Sequence, residues 1–125
     1  MKNKGKKILL VEDDVTLIDM YSLKFKEEGY NLLTAENGET GLALALKEIH
    51  DVILLDIVMP KMDGFAVLAE LKKNATTKNI PVLMLSNLGQ TADVEKGEAM
   101  GAKDYIVKAS MTPTQVVDKV KSYLK

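Results

Sequence analysis

Short, unbroken apolar runs recur along the chain and alternate with amphipathic segments. Three of them, at residues 8–11, 52–55 and 80–85, contain no charged residue. Strands that are apolar on both faces are typical of a parallel sheet covered by helices on both sides. Two weaker candidate strands lie at residues 30–35 and 104–107. This alternation constrains the fold most, because parallel neighbours need a crossover segment between them, usually a helix.

The segments between the runs have the spacing of amphipathic helices. The last one has the clearest start: Thr112 as the cap, Pro113 at the first helical position and Gln115 able to reach back to the cap. The fourth, at residues 91–100, has few apolar residues and an interior Gly97. We therefore expect the fourth helix to be the least well anchored.

Five strands alternating with five helices predict an α/β fold. We expect a flavodoxin-like (βα)5 arrangement, a doubly wound five-stranded parallel sheet with strand order 2-1-3-4-5 and helices on both faces. The length of 125 residues fits one compact domain, so we expect residues 1–125 to form a single unit. Ligands of such sheets bind beyond the carboxyl ends of the strands.

Composition excludes several classes of site and partner. Lys and Arg number 17 and Asp and Glu 18, so the net charge of −1 lacks the basic excess that drives non-specific binding to nucleic acid. The chain has no cysteine, and its one histidine, His50, which we expect at the surface, excludes sites that need two imidazoles. No apolar run approaches the roughly 18 residues of a membrane span. We expect a cytoplasmic protein with no direct nucleic-acid or membrane partner.

Polar side chains follow the predicted strands at the edge where their carboxyl ends meet. Asp56 directly follows an apolar run, where an aspartate is costly unless it is paired or metal-bound. Acids gathered at one edge repel each other unless a cation joins them, and oxygen-only ligands favour Mg²⁺. An alternative interpretation of the acids after the first strand is that they start a helix. The residues at the strand ends are Glu12-Asp13-Asp14, Asp56, Ser86-Asn87 and Lys108.

Residues 56–64 form the most specific stretch of the sequence. With the strand-end residues, this stretch resembles the receiver domain of bacterial two-component response regulators, the CheY-like fold, over essentially the whole chain. The residues that carry the resemblance are Glu12-Asp13, Asp56 with Pro60 and Asp63-Gly64, Ser86, and Tyr105 with Lys108.

The resemblance implies a phosphoacceptor of a two-component system and not a turnover enzyme. Asp56 would accept a phosphoryl group from a phosphohistidine on a sensor histidine kinase or a histidine phosphotransfer protein. The implied cofactor is Mg²⁺, with Asp13, Asp56 and the backbone carbonyl of Val58 as ligands and Glu12 holding a metal-bound water. Such a partly hydrated, oxygen-only shell suits this ion.

The resemblance also implies how the chain binds phosphate and signals. Ser86 would donate a hydrogen bond to one phosphoryl oxygen, and Lys108 would pair with another. Tyr105 would be a rotamer switch that turns inward when Ser86 is drawn toward the phosphate. Each residue also has an alternative interpretation without a signalling role. Ser86 would be an ordinary strand-end hydroxyl, Lys108 a solvated surface cation and Tyr105 a residue of the core. The fourth helix, fifth strand and last helix would form the face that binds a downstream protein, and we expect a monomer or weak dimer without an effector domain.

Four residues depart from the family pattern. Ala109 follows Lys108 where the family usually has a proline in a cis peptide bond, so this bond is either trans with a shifted loop or cis under strain. Asn87 stands where a smaller residue is commoner, and its bulk would crowd the phosphoryl pocket. Val58 and Leu88 are apolar at positions where polar side chains help water to attack the phosphoaspartate. We therefore expect slow loss of the phosphoryl group.

Three other functions share parts of this sequence pattern. A haloacid-dehalogenase-type enzyme needs a second aspartate two residues after its nucleophile, where this chain has Val58. A flavodoxin-like electron carrier needs a phosphate loop after the first strand, where Glu12-Asp13-Asp14 would repel the phosphate. The remaining alternative is a receiver-like protein-interaction module that acts without phosphorylation, which the altered Asn87 and Ala109 would favour.

Overall fold

The computed structural model describes residues 5–86 and 91–124. Strand and helix alternate throughout these ranges, as the apolar runs predict. Asn87 and Leu88, two of the departures from the family pattern, lie outside the described residues. The elements are β1 (Lys7–Val11), α1 (Val15–Glu27), β2 (Asn31–Ala35), α2 (Gly38–Lys47), β3 (Val52–Asp56), α3 (Gly64–Lys73), β4 (Val82–Ser86), α4 (Thr91–Ala99), β5 (Asp104–Val107), a 3₁₀ turn (Lys108–Ser110) and α5 (Pro113–Lys121).

The five strands form one parallel sheet with the order β2-β1-β3-β4-β5. This confirms the predicted topology. Every residue of β3 and β4 is buried, and β1 is buried after its first residue, whereas the edge strand β2 is largely half-buried or exposed. The three unbroken apolar runs therefore supply the centre of the sheet, because only central strands are covered on both faces.

Two apolar cores lie on opposite faces of the sheet. On one face α1 and α5 pack together, where Phe25 and Val117 are buried. On the other face α2 and α3 bury Ala45 and Leu68, and the chain around Met100 packs against the same core. The helices thus cover both faces of the sheet.

Side-chain caps fix where the helices begin. Asp14 accepts hydrogen bonds from backbone N–H groups at the start of α1, and Asn37 and Asp63 do the same for α2 and α3. Thr112 and Gln115 form the predicted capping box of α5, in which each side chain accepts from the backbone N–H of the other residue. The sequence signals for helix starts are therefore local and reliable in this chain.

Two strands start later than their apolar runs suggest. The N–H of Tyr30 donates to the carbonyl of Phe25, so Tyr30 belongs to the turn that follows α1 and β2 starts one residue later. The N–H of Ile80 is used in a turn with Thr77, and Pro81 has no N–H, so β4 starts at residue 82. In both cases backbone hydrogen bonds, and not hydrophobicity, set the boundary.

The expectation that His50 lies at the surface is wrong. His50 is only 2% exposed, in the loop between α2 and β3. Its Nε2 lies 3.4 Å from the carbonyl oxygen of Leu44, and its Nδ1 has no hydrogen-bond partner among the described residues. The next residue, Asp51, donates its N–H to the carbonyl of Lys7 and accepts the N–H of Lys7 on its side chain. The loop that carries His50 is therefore fixed to the start of β1, a long-range contact that helical periodicity could not predict.

Helix α4 has the sparse burial that its composition predicts. Among its described side-chain positions, residues 92–99, only Gly97 is buried. A Cβ atom added at Gly97 would lie 3.5 Å from Cγ of Met84 and 3.7 Å from Cβ of Ala102, which is ordinary contact. Close packing therefore does not require the glycine, and its main effect is to lower helix propensity.

Candidate functional site

The carboxyl end of the sheet brings together the residues predicted at the strand ends. Glu12 follows β1, while Asp56 and Ser86 are the last residues of β3 and β4. The register pairs Asp56 with Leu85, so these two strands end almost level. Glu12, Asp56 and Ser86 are buried, with Asp56 only 4% exposed. Parallel strands thus gather two buried carboxylates and a hydroxyl at one point.

Lys108 completes this cluster from the turn after β5. Its Nζ lies 2.7 Å from Oε1 of Glu12 and 3.1 Å from Oδ1 of Asp56, and its side chain is 6% exposed. The contact with Glu12 is an ion pair rather than a well-directed hydrogen bond, since Oε1 has no hydrogen-bond partner of good geometry among the residues that the structure describes. The peptide bond to Ala109 is trans, and the ammonium still reaches both carboxylates.

The buried charges perturb one another. Burial and, after it, repulsion from Glu12 raise the pKa of Asp56, which Lys108 only partly offsets, so that the pKa lies at about 7. Burial alone would lower the pKa of Lys108, but its contacts with Glu12 and Asp56 outweigh this and raise it. The arrangement holds a lysine firmly charged beside an aspartate that is costly to ionise.

Three carboxylates at this edge are placed to bind a cation. Oxygen atoms of Glu12, Asp13 and Asp56 all lie within 4.8 Å of one another. Asp13 is exposed, so the cluster opens to solvent on one side. With all three acids ionised, Lys108 leaves two negative charges uncompensated, and oxygen-only donors suit Mg²⁺. Asp14, by contrast, caps α1 through its Oδ1, as the helix-start interpretation proposes for that residue.

The loop after Asp56 is held by close backbone approaches. A Cβ atom at Gly64 would lie 2.2 Å from the carbonyl oxygen of Asp56, so only glycine lets α3 start against the end of β3. Within the loop, the N–H of Met62 donates to the carbonyl of Pro60 at 2.8 Å around Lys61, whose φ is +71°. These features match a classic γ-turn, a rare and strained conformation for a residue other than glycine.

Tyr105 borders a small cleft between α4 and β5. The cleft has a volume of about 60 Å³ and is also lined by Val94, Gly97 and Glu98. Tyr105 is half-buried, and its N–H donates to Oδ1 of Asp104 at 2.7 Å. The structure therefore places the predicted switch residue on β5, three positions before Lys108 and beside the sparsely buried helix.

Sequence reasoning missed that the buried hydroxyl of Tyr21 is exposed to the charges of the acidic cluster. Helical spacing predicts this residue in the core below α1, and it is fully buried there. Burial raises the pKa of its hydroxyl, which also experiences the charges of Lys108, Glu12 and Asp56. The phenol thus lies within electrostatic range of the cluster. Its tyrosine identity at a core position was the one available signal, since buried tyrosines direct their hydroxyl toward polar groups.

A model of the response regulator receiver domain matches residues 8–121. The chain belongs to the response regulator receiver domain family. This confirms the resemblance noted from the strand-end residues and the CheY-like fold. Receiver domains are signalling modules of two-component systems that bind Mg²⁺ at an acidic pocket and interact with histidine kinases and downstream effectors.

Individual receiver proteins show the same relationship. The probable transcriptional regulator ycf27 of Porphyra purpurea is 35% identical over 125 residues, covering 100% of this chain and 50% of that protein. Protein PilH of Pseudomonas aeruginosa is 40% identical over 102 residues, covering 82% of this chain and 84% of PilH. The structure of chemotaxis protein CheY4 of Vibrio cholerae matches with a TM-score of 0.89 at 31% identity, over 95% of this chain and 98% of CheY4.

The receiver domain corresponds to different shares of these proteins. The chain spans about half the length of the first curated relatives it matches, although it spans most of PilH. Within residues 5–86 and 91–124, no helix is long and apolar enough to cross a membrane.

Proposed function

We propose that this receiver domain is a phosphoacceptor that takes a phosphoryl group onto Asp56 from a phosphohistidine. The donor is a sensor histidine kinase or a histidine phosphotransfer protein. In this step the P–N bond to histidine breaks as a P–O bond to Asp56 forms, and the histidine nitrogen keeps the electron pair. We further propose that residues 1–125 act as one receiver domain in this transfer.

The observation that carries this proposal is the charge imbalance around Asp56. Its carboxylate is buried, repelled by Glu12 and contacted by one lysine 3.1 Å away. A purely structural ion pair needs one acid for one lysine, and a second buried acid adds only repulsion. Phosphoryl transfer, by contrast, requires a positioned nucleophile and neutralised charge around it, which Lys108 together with a bound cation would supply at this cluster.

The carboxylates fit a divalent cation as cofactor. Glu12, Asp13 and Asp56 offer oxygen atoms that lie within 4.8 Å of one another, and Oε1 of Glu12, which pairs with Lys108 at 2.7 Å, accepts no hydrogen bond from another described residue. We propose that Asp13, Asp56 and the backbone carbonyl of Val58 bind Mg²⁺ and that Glu12 holds a metal-bound water. When bound, Mg²⁺ would neutralise charge on the phosphoryl oxygens.

The positions of Ser86 and Lys108 support a role for both residues in binding the transferred group. Both residues lie at the carboxyl end of the sheet, and Lys108 already contacts the acceptor carboxylate. We propose that Ser86 donates a hydrogen bond to one phosphoryl oxygen. Lys108 then gives up its contact with the Asp56 carboxylate and pairs with a second phosphoryl oxygen. The trans bond to Ala109 does not prevent this, because the ammonium reaches the site without a cis proline.

We propose that phosphorylation changes partner binding through Tyr105. Movement of Ser86 toward the phosphate would open space for the tyrosine ring to turn inward from the cleft beside α4. The sparse burial of α4 supports this, because weakly anchored elements shift between conformations at low cost. The face formed by α4, β5 and α5 would then bind the downstream protein.

The apolar Val58 supports slow loss of the phosphoryl group. Its side chain, two residues after Asp56, is 78% exposed and carries no polar atom that could orient an attacking water. We therefore propose a long-lived phospho-Asp56. A decay assay with the isolated phosphorylated chain measures this directly, and a lifetime of only seconds would contradict it.

Incubation with Mg²⁺ and acetyl phosphate, followed by intact-mass measurement, tests the phosphoacceptor function. We expect one added phosphoryl group in the native chain and none in Asp56→Asn or after removal of Mg²⁺ by a chelator. Asp19→Asn, which changes an exposed aspartate on α1, is the matched control and should be modified like the native chain. Beryllofluoride with Mg²⁺ should produce a conformational response at Tyr105.

The rival function is a receiver-like interaction module that acts without phosphate. It predicts no modification of Asp56 and no response to beryllofluoride, although the domain would still bind its partner. The buried acidic cluster disfavours this function, because a module that only docks gains nothing from carboxylates that repel each other.

A further inference from the structure

A lysine of α4 lies over an aromatic ring of α3. The Nζ atom of Lys96 is 4.4 Å from the centroid of the Phe65 ring, which is within the range of a cation–π interaction. Lys96 is exposed, whereas Phe65 is half-buried and packs against the core under α2 and α3. The Lys96–Phe65 contact therefore joins the outer surface of α4 to a side chain that the core holds in place.

Lys96 contacts this ring although its own helix offers an acid. Asp93 lies three residues before Lys96, at a spacing that supports ion pairs on a helix surface. Yet within the described part of the chain no carboxylate oxygen lies within 4.0 Å of the Lys96 ammonium. Lys73 on α3, by contrast, pairs with Glu70 at the same spacing. The contact with Phe65 is therefore not a by-product of an ion pair along α4.

Helix α4 has little else to hold it against the domain. Among residues 92–99 only Gly97 is buried, and a glycine has no side chain with which to anchor a helix. Few other side-chain contacts therefore oppose a displacement of α4. A single contact such as that of Lys96 with Phe65 has more influence on such a helix than on a well-buried one.

The contact also connects α4 to the backbone beside the acceptor residue. Phe65 follows Gly64, where a Cβ atom would lie 2.2 Å from the carbonyl oxygen of Asp56, so the start of α3 is fixed to the end of β3. Helix α4 in turn lines the cleft that Tyr105 borders. The Lys96–Phe65 contact thus links the end of β3 to the helix beside Tyr105.

We propose that the Lys96–Phe65 contact holds α4 in its resting position and so limits the fraction of chains in the active conformation. This rests on the phosphoacceptor function proposed above, in which phosphorylation of Asp56 makes α4 adjust. A contact made in only one of two conformations adds its free energy to that conformation alone. Loss of an exposed cation–π interaction should therefore shift the equilibrium toward the active conformation by about two- to fivefold.

Hydrogen exchange of the full chain without metal or phosphate tests the contact itself. In Lys96→Gln the amides of α4 should exchange about two- to fivefold faster than in the native chain, whereas Lys96→Arg keeps the cation and should match it. Adding Lys96→Gln to Phe65→Leu should cause no further increase, because the ring is already absent. Lys47→Gln, which removes an exposed lysine from α2, is the matched control and should leave α4 unchanged. Circular dichroism verifies that each variant folds.

Titration with beryllofluoride in the presence of Mg²⁺, followed by NMR of the backbone amides, tests the regulatory role. The concentration that gives half of the response should fall about two- to fivefold in Lys96→Gln, because the apparent affinity rises with the fraction of chains already in the competent conformation. The same concentration should stay at the native value in Lys96→Arg and in Lys47→Gln.

The outcomes separate this proposal from the proposed function. Unchanged exchange of α4 in Lys96→Gln, or an equal acceleration by Lys96→Gln in the Phe65→Leu background, would overturn the anchoring role of the contact. An unchanged or higher half-response concentration in Lys96→Gln, while Asp56 still takes up a phosphoryl group, would overturn its regulatory role. A native chain that neither takes up phosphate nor responds to beryllofluoride would refute the phosphoacceptor function and with it the regulatory role, whereas the exchange measurement would still decide whether the contact anchors α4.

Discussion

Replacing Asp56 by asparagine should stabilise the metal-free domain at neutral and alkaline pH. The native fold buries the carboxyl group of Asp56 beside Glu12. Burial, and after it repulsion from the Glu12 charge, raises the pKa of Asp56 from 3.8 to about 7. About three pKa units correspond to as much as about 4 kcal/mol of differential stability. Asparagine keeps the size of the side chain and removes the charge.

The sign of the pH dependence follows from proton binding. Between pH 3.8 and about 7 the folded domain holds a proton on Asp56 that the unfolded chain has released. The stability of the domain with a protonated Asp56 is therefore fully present below pH 3.8. It declines as the pH rises to about 7, and above that pH it stays lost. The advantage of Asp56→Asn should accordingly be close to zero near pH 4 and largest near pH 8.

Urea unfolding with a chelator present, followed by circular dichroism across this pH range, measures the effect. Asp19→Asn is the control and should change the free energy of unfolding by no more than about 0.5 kcal/mol at any pH. Added Mg²⁺ should narrow the gap at pH 8, because an ion that binds only the folded native site stabilises it. A variant less stable than the native domain at pH 8, or a gain independent of pH, would refute the reasoning.

Three further substitutions test other parts of the structure. Lys108→Met should cost about 3–5 kcal/mol in urea unfolding at pH 8 without metal, because it leaves two buried acids unpaired; a neutral effect would contradict the buried ion pairs. In an Asp56→Asn background, His50→Gln should reduce the loss of thermal stability on acidification below pH 6.5. Burial lowers the pKa of His50, so on acidification the imidazole of the unfolded chain is protonated before that of the folded chain. Parallel curves of stability against pH for the two proteins would contradict this. Gly97→Ala should raise the free energy of unfolding by about 0.5–1 kcal/mol through helix propensity, whereas a loss would mean that α4 has no room for a Cβ atom.

The fold was predictable because its signals are local. Apolar runs define the central strands, and the Thr112 capping box defines the start of α5. Strand ends in a parallel sheet then place Asp56 and Ser86 together without any long-range information. The family resemblance added the expected roles of these residues, but their proximity follows from the sheet alone.

Long-range packing was not predictable from the same signals. His50 is buried because a loop folds back on the end of α2, and no periodicity reports such a contact. Lys61 adopts a positive φ, which a lysine does not favour, because the next residue, Met62, packs against the start of α2. The approach is so close that a Cβ atom at Gly38 would lie 2.0 Å from the Met62 carbonyl oxygen. The surrounding contacts determine this loop, and sequence preference does not.

The anchors of β5 limit how the domain can respond to a charge change at Asp56. At the start of the strand, Asp104 accepts a hydrogen bond from the Tyr123 hydroxyl at 2.6 Å and pairs with Lys119 at 3.4 Å, which ties β5 to α5. At its other end, Lys108 is held by the acidic cluster. A strand fixed at both ends cannot slide, so a signal that passes through Tyr105 must be a rotation of its side chain, accompanied by adjustment of the weakly buried α4.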